Sequence, residues 1–210
     1  MRGVIFDLDG TLVDSLRDIS EALDHVLSER GLPRHSHAEY ERMVGDGARI
    51  LVRRALADRA ELEDEVLAAF KARYLAHVAV HTRPYDGIEA LLDTLTERGV
   101  PMAVLSNKPH PATETLVRAL FPHPFVAVRG TREEHLKKPD PTAALEIARA
   151  MELAPDTILF LGDTAVDVET AARAGMVSVG ALWGMRSREE LERAGARHLI
   201  AAPGELLALL

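Results

Sequence analysis

Cysteine is absent from the 210 residues. That excludes a disulfide framework, a thiolate nucleophile and a thiolate metal site, so any metal must sit on oxygen or imidazole. Aromatic residues are scarce at 4%, yet hydrophobic residues make up 47% of the chain, enough to fill the core of one sizeable domain plus an insertion. Long apolar runs are missing too. No stretch approaches a membrane span, so no membrane partner is expected, and the first residues lead into a strand instead of a basic and apolar leader, from which a cytoplasmic location is expected. The formal net charge is −8 with no basic run to offset it, which argues against nucleic acid as a partner.

What is present begins at the N-terminus, with Val4-Ile5-Phe6-Asp7-Leu8-Asp9-Gly10-Thr11. The β-branched, apolar run from Gly3 to Phe6 predicts a short buried strand, and Gly10 marks where the backbone leaves it. Alternation then points Asp7 and Asp9 the same way and Leu8 into the core. Two such anions stay ionised in a low-dielectric pocket only if a cation binds them; otherwise one takes a proton. Hard oxygen ligands favour Mg²⁺. An EF-hand calcium loop also starts Asp-x-Asp, but it needs glycine at loop position 6 and glutamate at 12, whereas here glycine comes fourth and Asp18 stands twelfth. A plain Asp-Gly turn after a strand is the other reading of these residues alone.

Residues 15–82 show helical spacing and no convincing strand. Leu16, Ile19, Leu23, Val26 and Leu27 share one side of a first helix that Gly31-Leu32-Pro33 stops, and further helices are predicted at about 36–44, 47–58 and 61–80. From Pro84 onward, short apolar runs alternate with amphipathic segments. These predict strands at Met102–Leu105, Phe125–Val128, Thr157–Leu161 and Val177–Gly180, and helices at about 87–98, 111–120, 141–151, 164–174 and 187–194, with a short strand at His198–Ile200 before a last helix. The expected fold is therefore α/β, a Rossmann-like parallel sheet flanked by helices (1–14 and 83–210) with an inserted all-helical cap (15–82). Sites in such sheets lie beyond the C-terminal strand ends.

Polar clusters stand at those places. Ser106 offers a hydroxyl and Asn107 further donors for phosphoryl oxygens, although either could simply cap a helix. Lys138, in Lys137-Lys138-Pro139-Asp140-Pro141, could bring a positive charge to a phosphate, although alone it reads as a surface lysine. Asp163 and Asp167, one turn apart at a predicted helix start, could equally complement the helix dipole. With Asp7 and Asp9 they make four acids at adjacent strand ends, a charge that calls for a cation and a lysine.

Taken in order, Asp7-Leu8-Asp9-Gly10-Thr11, Ser106-Asn107-Lys108, Lys138-Pro139-Asp140-Pro141 and Gly162-Asp163-Thr164-Ala165-Val166-Asp167 resemble the four motifs of the haloacid dehalogenase superfamily of phosphohydrolases. The resemblance spans nearly the whole chain, the helical insert matching the cap between the first two motifs. It implies Asp7 as the nucleophile that forms an aspartyl-phosphate, and Asp9 as general acid and then base, with Thr11 helping to orient it. It also implies Mg²⁺ on Asp7, the backbone carbonyl of Asp9 and Asp163, supported by Asp167. Lys138 would complete the catalytic set. Asp9 favours a phosphatase over a dehalogenase, and Gly162-Asp163 in place of Glu-Asp makes a mutase the lesser choice.

Val44-Gly45-Asp46-Gly47-Ala48-Arg49 and Leu51-Val52-Arg53-Arg54-Ala55-Leu56 are similar to the cap segment of phosphoglycolate phosphatases. That similarity implies that Gly45 and Gly47 let the cap loop approach the site and that Arg54, with Arg53 or Arg49 as substitutes, pairs with a substrate carboxylate. The expected partner is thus a small phosphorylated metabolite, 2-phosphoglycolate first. A sugar-phosphate phosphatase or phosphomutase, or a non-catalytic phosphate-binding module, are the alternatives. Oligomeric state, monomer or homodimer, is left open. His77 and His81, one turn apart, lack the glutamate and third ligand of a metal motif and read as surface residues, as do His35 and His37.

Overall fold

The computed structural model describes residues 1–132 and 136–210. Strand β1 (Gly3–Phe6) leads through a tight turn to β2 (Val13–Asp14), then to helices α1 (Leu16–Ser28), α2 (His37–Met43), α3 (Ala48–Leu56) and α4 (Glu63–Ala76), and back through β3 (Arg83–Pro84). There follow α5 (Ile88–Glu97), β4 (Met102–Pro109), α6 (His110–Leu120), β5 (Phe125–Thr131), α7 (Thr142–Ala150), β6 (Ile158–Gly162), α8 (Ala165–Ala174), β7 (Val177–Ala181), α9 (Arg188–Arg193) and β8 (His198–Ile200). Six strands pair in parallel in the order β5-β4-β1-β6-β7-β8. No helix among the described residues is long and apolar enough to cross a membrane.

Alternation along the strands builds two cores, one on each face of the sheet. Val4, Phe6, Met102, Val104, Leu159 and Leu161 pack with Leu91, Leu92 and Leu95 of α5 and Leu116 of α6, in a core continuous with the helical insert. Ile5, Ala103, Leu105, Ile158 and Phe160 face the other way, onto Ala144 and Ile147 of α7 and Ala171 of α8. The α1 residues expected on one side, Leu16, Ile19, Leu23, Val26 and Leu27, are all buried.

Several elements differ from expectation. Strand β4 runs to Pro109, because Ser106, Asn107 and Lys108 stay extended and buried beside β5. The helix expected over 61–80 stops at Ala76: the His77 Nδ1–H donates to the Arg73 carbonyl, which a continuing helix would have used, and the His77 amide turns to Tyr74. Finally, β2 and β3 form an antiparallel ribbon, Val13 opposite Pro84 and Asp14 opposite Arg83, where the chain passes into and out of the helices. Buried Asp18 fastens this crossing, accepting from the amides of His81 and Thr82 and from the Thr82 hydroxyl. The last predicted helix is a 3₁₀ segment, Pro203–Leu209.

Candidate active site

Strand β1 lies between β4 and β6, so the segments leaving these three C-terminal ends meet. Asp7 follows β1 directly, its amide donating to the Leu161 carbonyl at 2.8 Å. The chain then turns, with the Leu8 carbonyl accepting from the amides of Leu12 and Val13, each at 3.0 Å. Gly10 is required there twice over: its φ is +86°, and a Cβ would fall 2.3 Å from Asp163 Oδ2. Gly184 closes the other side of Asp163, where a Cβ would lie 2.3 Å from that of Asp163.

Asp163 precedes α8. Its Oδ1 accepts from the Thr11 hydroxyl at 3.0 Å and its Oδ2 from the Met185 amide at 2.9 Å. Asp167 forms a capping box with Thr164, its Oδ2 accepting from the Thr164 amide and hydroxyl, and its Oδ1 takes a bond from Lys138 Nζ at 2.6 Å. The same Nζ lies 2.7 Å from Asp7 Oδ1, so one buried ammonium bridges the two carboxylates.

The electrostatics follow from burial. It pushes the Asp7 carboxyl up to about 8, against the pull of Lys138 and with the push of Asp167 and Asp163. Burial, then Asp167, pushes Asp163 up to about 7 against its two donors. For Lys138, burial opposes the charge, but Asp167 and Asp7 outweigh it and hold the ammonium above its usual range. Asp7, Asp163 and Asp167 each offer one carboxylate oxygen, and these lie within 4.8 Å of one another. An all-oxygen, anionic, buried set with only one lysine to balance it fits a hard divalent cation.

Asp9 stands apart from that trio. Its Oδ1 accepts from the Ser15 hydroxyl and from Lys108 Nζ at 2.6 Å. Asp7 and Asp9 line a cavity of about 50 Å³ together with Ser106, Asn107 and Lys108 from β4 and with Ile19, Val44, Gly45, Gly47, Leu51, Phe70 and Tyr74 from the helical side. Gly45 (φ +122°) and Gly47 (φ +91°) do bring the cap loop close: a Cβ on Gly47 would lie 3.2 Å from the Asn107 carbonyl.

Three expected roles are corrected. Thr11 is spent on Asp163 and not on Asp9 or the cavity. Asn107 has no side-chain donor free for a phosphate, since Nδ2 bonds to the carbonyls of Lys138 (3.0 Å) and Gly45 (3.4 Å). Arg54 does not reach this cavity: it pairs with Asp46 at 2.6 Å, bonds to the Met43 carbonyl, and lines a separate polar cavity with Arg42 and Arg186. Its substitutes are engaged as well, Arg49 with Glu63 and Asp64, Arg53 with Glu63. Each arginine has a carboxylate on its own side of the cap, nearer than any group in the site. Two residues escaped the sequence reading. Lys108 shares a strand face with Ser106, an i+2 signal that could have found it. Arg186 bonds across to the carbonyls of Glu41 and Val44 at 2.6 Å each, a contact no local pattern encodes.

Residues 1–175 match the model of the haloacid dehalogenase-like hydrolases. Among curated proteins, the chain is 35% identical over 185 residues to a phosphoglycolate phosphatase of Aquifex aeolicus, covering 88% of this chain and 86% of that one. It is 38% identical over 205 residues to the phosphoglycolate phosphatase of Rhodospirillum rubrum, covering 93% and 85%. A solved structure from Lactobacillus delbrueckii subsp. bulgaricus, assigned by prediction as a phosphoglycolate phosphatase, superposes with a TM-score of 0.91 at 28% identity over 98% of this chain and 97% of that one. CbbY from Rhodobacter sphaeroides, solved in complex with phosphate, superposes with a TM-score of 0.80 at 25% identity over 98% and 96%. With the acids, lysine and strand-end geometry in place, the chain belongs to the haloacid dehalogenase-like hydrolases and is a phosphoric monoester hydrolase of the phosphoglycolate phosphatase-like kind.

Proposed function

We propose that the chain hydrolyses 2-phosphoglycolate, or a small anionic phosphomonoester close to it, through an aspartyl-phosphate on Asp7. The observation that carries this reading is Asp7 itself: a buried carboxylate at a strand end, ion-paired to a buried lysine, close to two further buried acids and two residues from a second carboxylate held by its own donors. Three carboxylates so deep in the protein against one lysine leave a negative charge that a purely structural ion pair would not carry. The names of the curated relatives support the substrate.

Asp7, Asp163 and the main-chain carbonyl of Asp9 would hold Mg²⁺, with Asp167 beside them. Bound there, the ion would neutralise the acids and shield the approach of carboxylate to phosphate. The Asp7 oxygen attacks phosphorus as the ester P–O bond breaks, and Asp9 gives its proton to the departing alkoxide. Asp9 then takes a proton from water, whose oxygen attacks the acyl-phosphate phosphorus. Inorganic phosphate leaves and Asp7 is regenerated. Lys138 holds Asp7 and Asp167 in place, and Ser106 offers its hydroxyl to phosphoryl oxygens. A cavity of about 50 Å³ between the sheet end and the helices suits a small substrate, over which the helical cap would open and close.

Phosphate release from 2-phosphoglycolate, measured with Mg²⁺ and with EDTA, tests the reading. Activity in Mg²⁺, none in EDTA and none in Asp7→Asn are expected; undiminished turnover in Asp7→Asn would sink it.

A further inference from the structure

Lys108 is a second buried ammonium in the site, and the chemistry above leaves it unused. Its side chain is 2% exposed, it sits 2.6 Å from Asp9 Oδ1, and its Nζ lies 4.6 Å from the ring centroid of Tyr74 on α4. Asp9 Oδ1 also takes the Ser15 hydroxyl. Both donors therefore fall on one oxygen, and Asp9 Oδ2 is left to handle the transferred proton. The two donors have different origins. Ser15 stands at the N-terminus of α1, and Lys108 comes from β4 but is covered by an aromatic ring from the cap. An ammonium over an aromatic face is held more strongly when water is excluded from it, and Tyr74 is itself buried.

We infer that Lys108 is a positioning residue for Asp9, fixing which carboxylate oxygen carries the proton, and that Tyr74 makes this hold depend on the cap being closed. Moving α4 away from the core would expose Lys108 to water and loosen Asp9, so proton transfer is armed only over a covered substrate. This inference rests on the proposed acid role of Asp9, and it adds a residue from the cap to the proton-transfer step.

The test uses leaving groups. An alkyl phosphate such as 2-phosphoglycolate needs its leaving oxygen protonated, whereas 4-nitrophenyl phosphate does not, and kcat/KM reports the steps up to loss of that group. In Lys108→Met, kcat/KM should fall about 30- to 100-fold on 2-phosphoglycolate and less than about 5-fold on the aryl ester. Tyr74→Leu should give the same asymmetry in smaller measure, about 5- to 10-fold on the alkyl ester, while Tyr74→Phe should keep the wild-type ratio of the two substrates. Tyr74→Leu leaves the buried ion pair intact and so serves if Lys108→Met folds poorly. Asp9→Ala separates the two readings. If it shows the asymmetry and the Lys108 and Tyr74 variants do not, the inference is overturned and the acid role stands; if Asp9→Ala itself lowers both substrates equally, the acid role falls and the inference with it.

Discussion

On the core side of the cavity the wall is Asp7, Asp9, Ser106, Asn107 and Lys108, with Pro109 at its edge; on the helical side Ile19, Val44, Ala48, Leu51 and Phe70 carry no polar side-chain atom, and Tyr74 contributes one hydroxyl. The polar wall hangs from the ends of a hydrogen-bonded sheet, where donors and acceptors are fixed by the ladder. The apolar wall is made of helix faces and a glycine loop that bring no charged side chain into the cavity. On the function proposed above, chemistry sits on the sheet and substrate fit on the helices.

This division has consequences that experiments can break. Asp7→Asn should lower kcat by at least about 10³-fold, since it removes the attacking atom, with little loss of thermal stability; a fall below 10-fold in a burst-free steady-state assay would erase the polar wall's claim on chemistry. Phe70→Ala, on the other wall, should destabilise the fold by about 3–5 kcal/mol through its cavity. In urea melts corrected for that loss, its kcat at saturation should stay within about 5-fold while KM rises.

A third outcome concerns pH. Asp7 and Asp163 titrate near 8 and 7 in the fold but from 3.8 when unfolded, so between about pH 4 and 8 the folded state binds more protons than the unfolded one. Stability without metal must therefore fall as pH rises through that window. Scanning calorimetry in EDTA should show Tm decreasing from pH 5 to pH 8. Mg²⁺ at about 100 times its Kd should restore about 5–10 °C at pH 8, and less at pH 5, where protons compete with it. The smallest effect is assigned to Arg54→Ala. It should cost under about 1 kcal/mol, from its exposed pair with Asp46, and change KM for 2-phosphoglycolate less than about 3-fold. A selective rise in KM for the carboxylated substrate would return Arg54 to the site and blur the distinction between the walls.

Much of the polar wall could be read from the chain, because a carboxylate after an apolar run has few places to go in a parallel sheet: Asp7 and Asp163 both lie just beyond adjacent strands. Periodicity located the helical insert as well. It could not say which way a long side chain turns. The family resemblance implies Arg54 at the substrate, but Asp46 lies beside it; the resemblance implies Thr11 at Asp9, but the turn at Gly10 aims its hydroxyl at Asp163. Lys108 went unassigned because its partners, Asp9 and Tyr74, are distant in sequence and join it only once sheet and cap meet. Local rules fix where the backbone goes, and the choice among polar partners waits on tertiary distances of an ångström or two.

The ribbon of β2 and β3, with Asp18 bridging to His81 and Thr82, joins the outgoing and returning chain at a single point. Two separate tethers would let the helices shear, twist or drift over the sheet in many directions. One stitched pair behaves like the pin of a door. Helices that open as proposed would sweep an arc about that pin, which would return Tyr74 to the same spot above Lys108 at every closing.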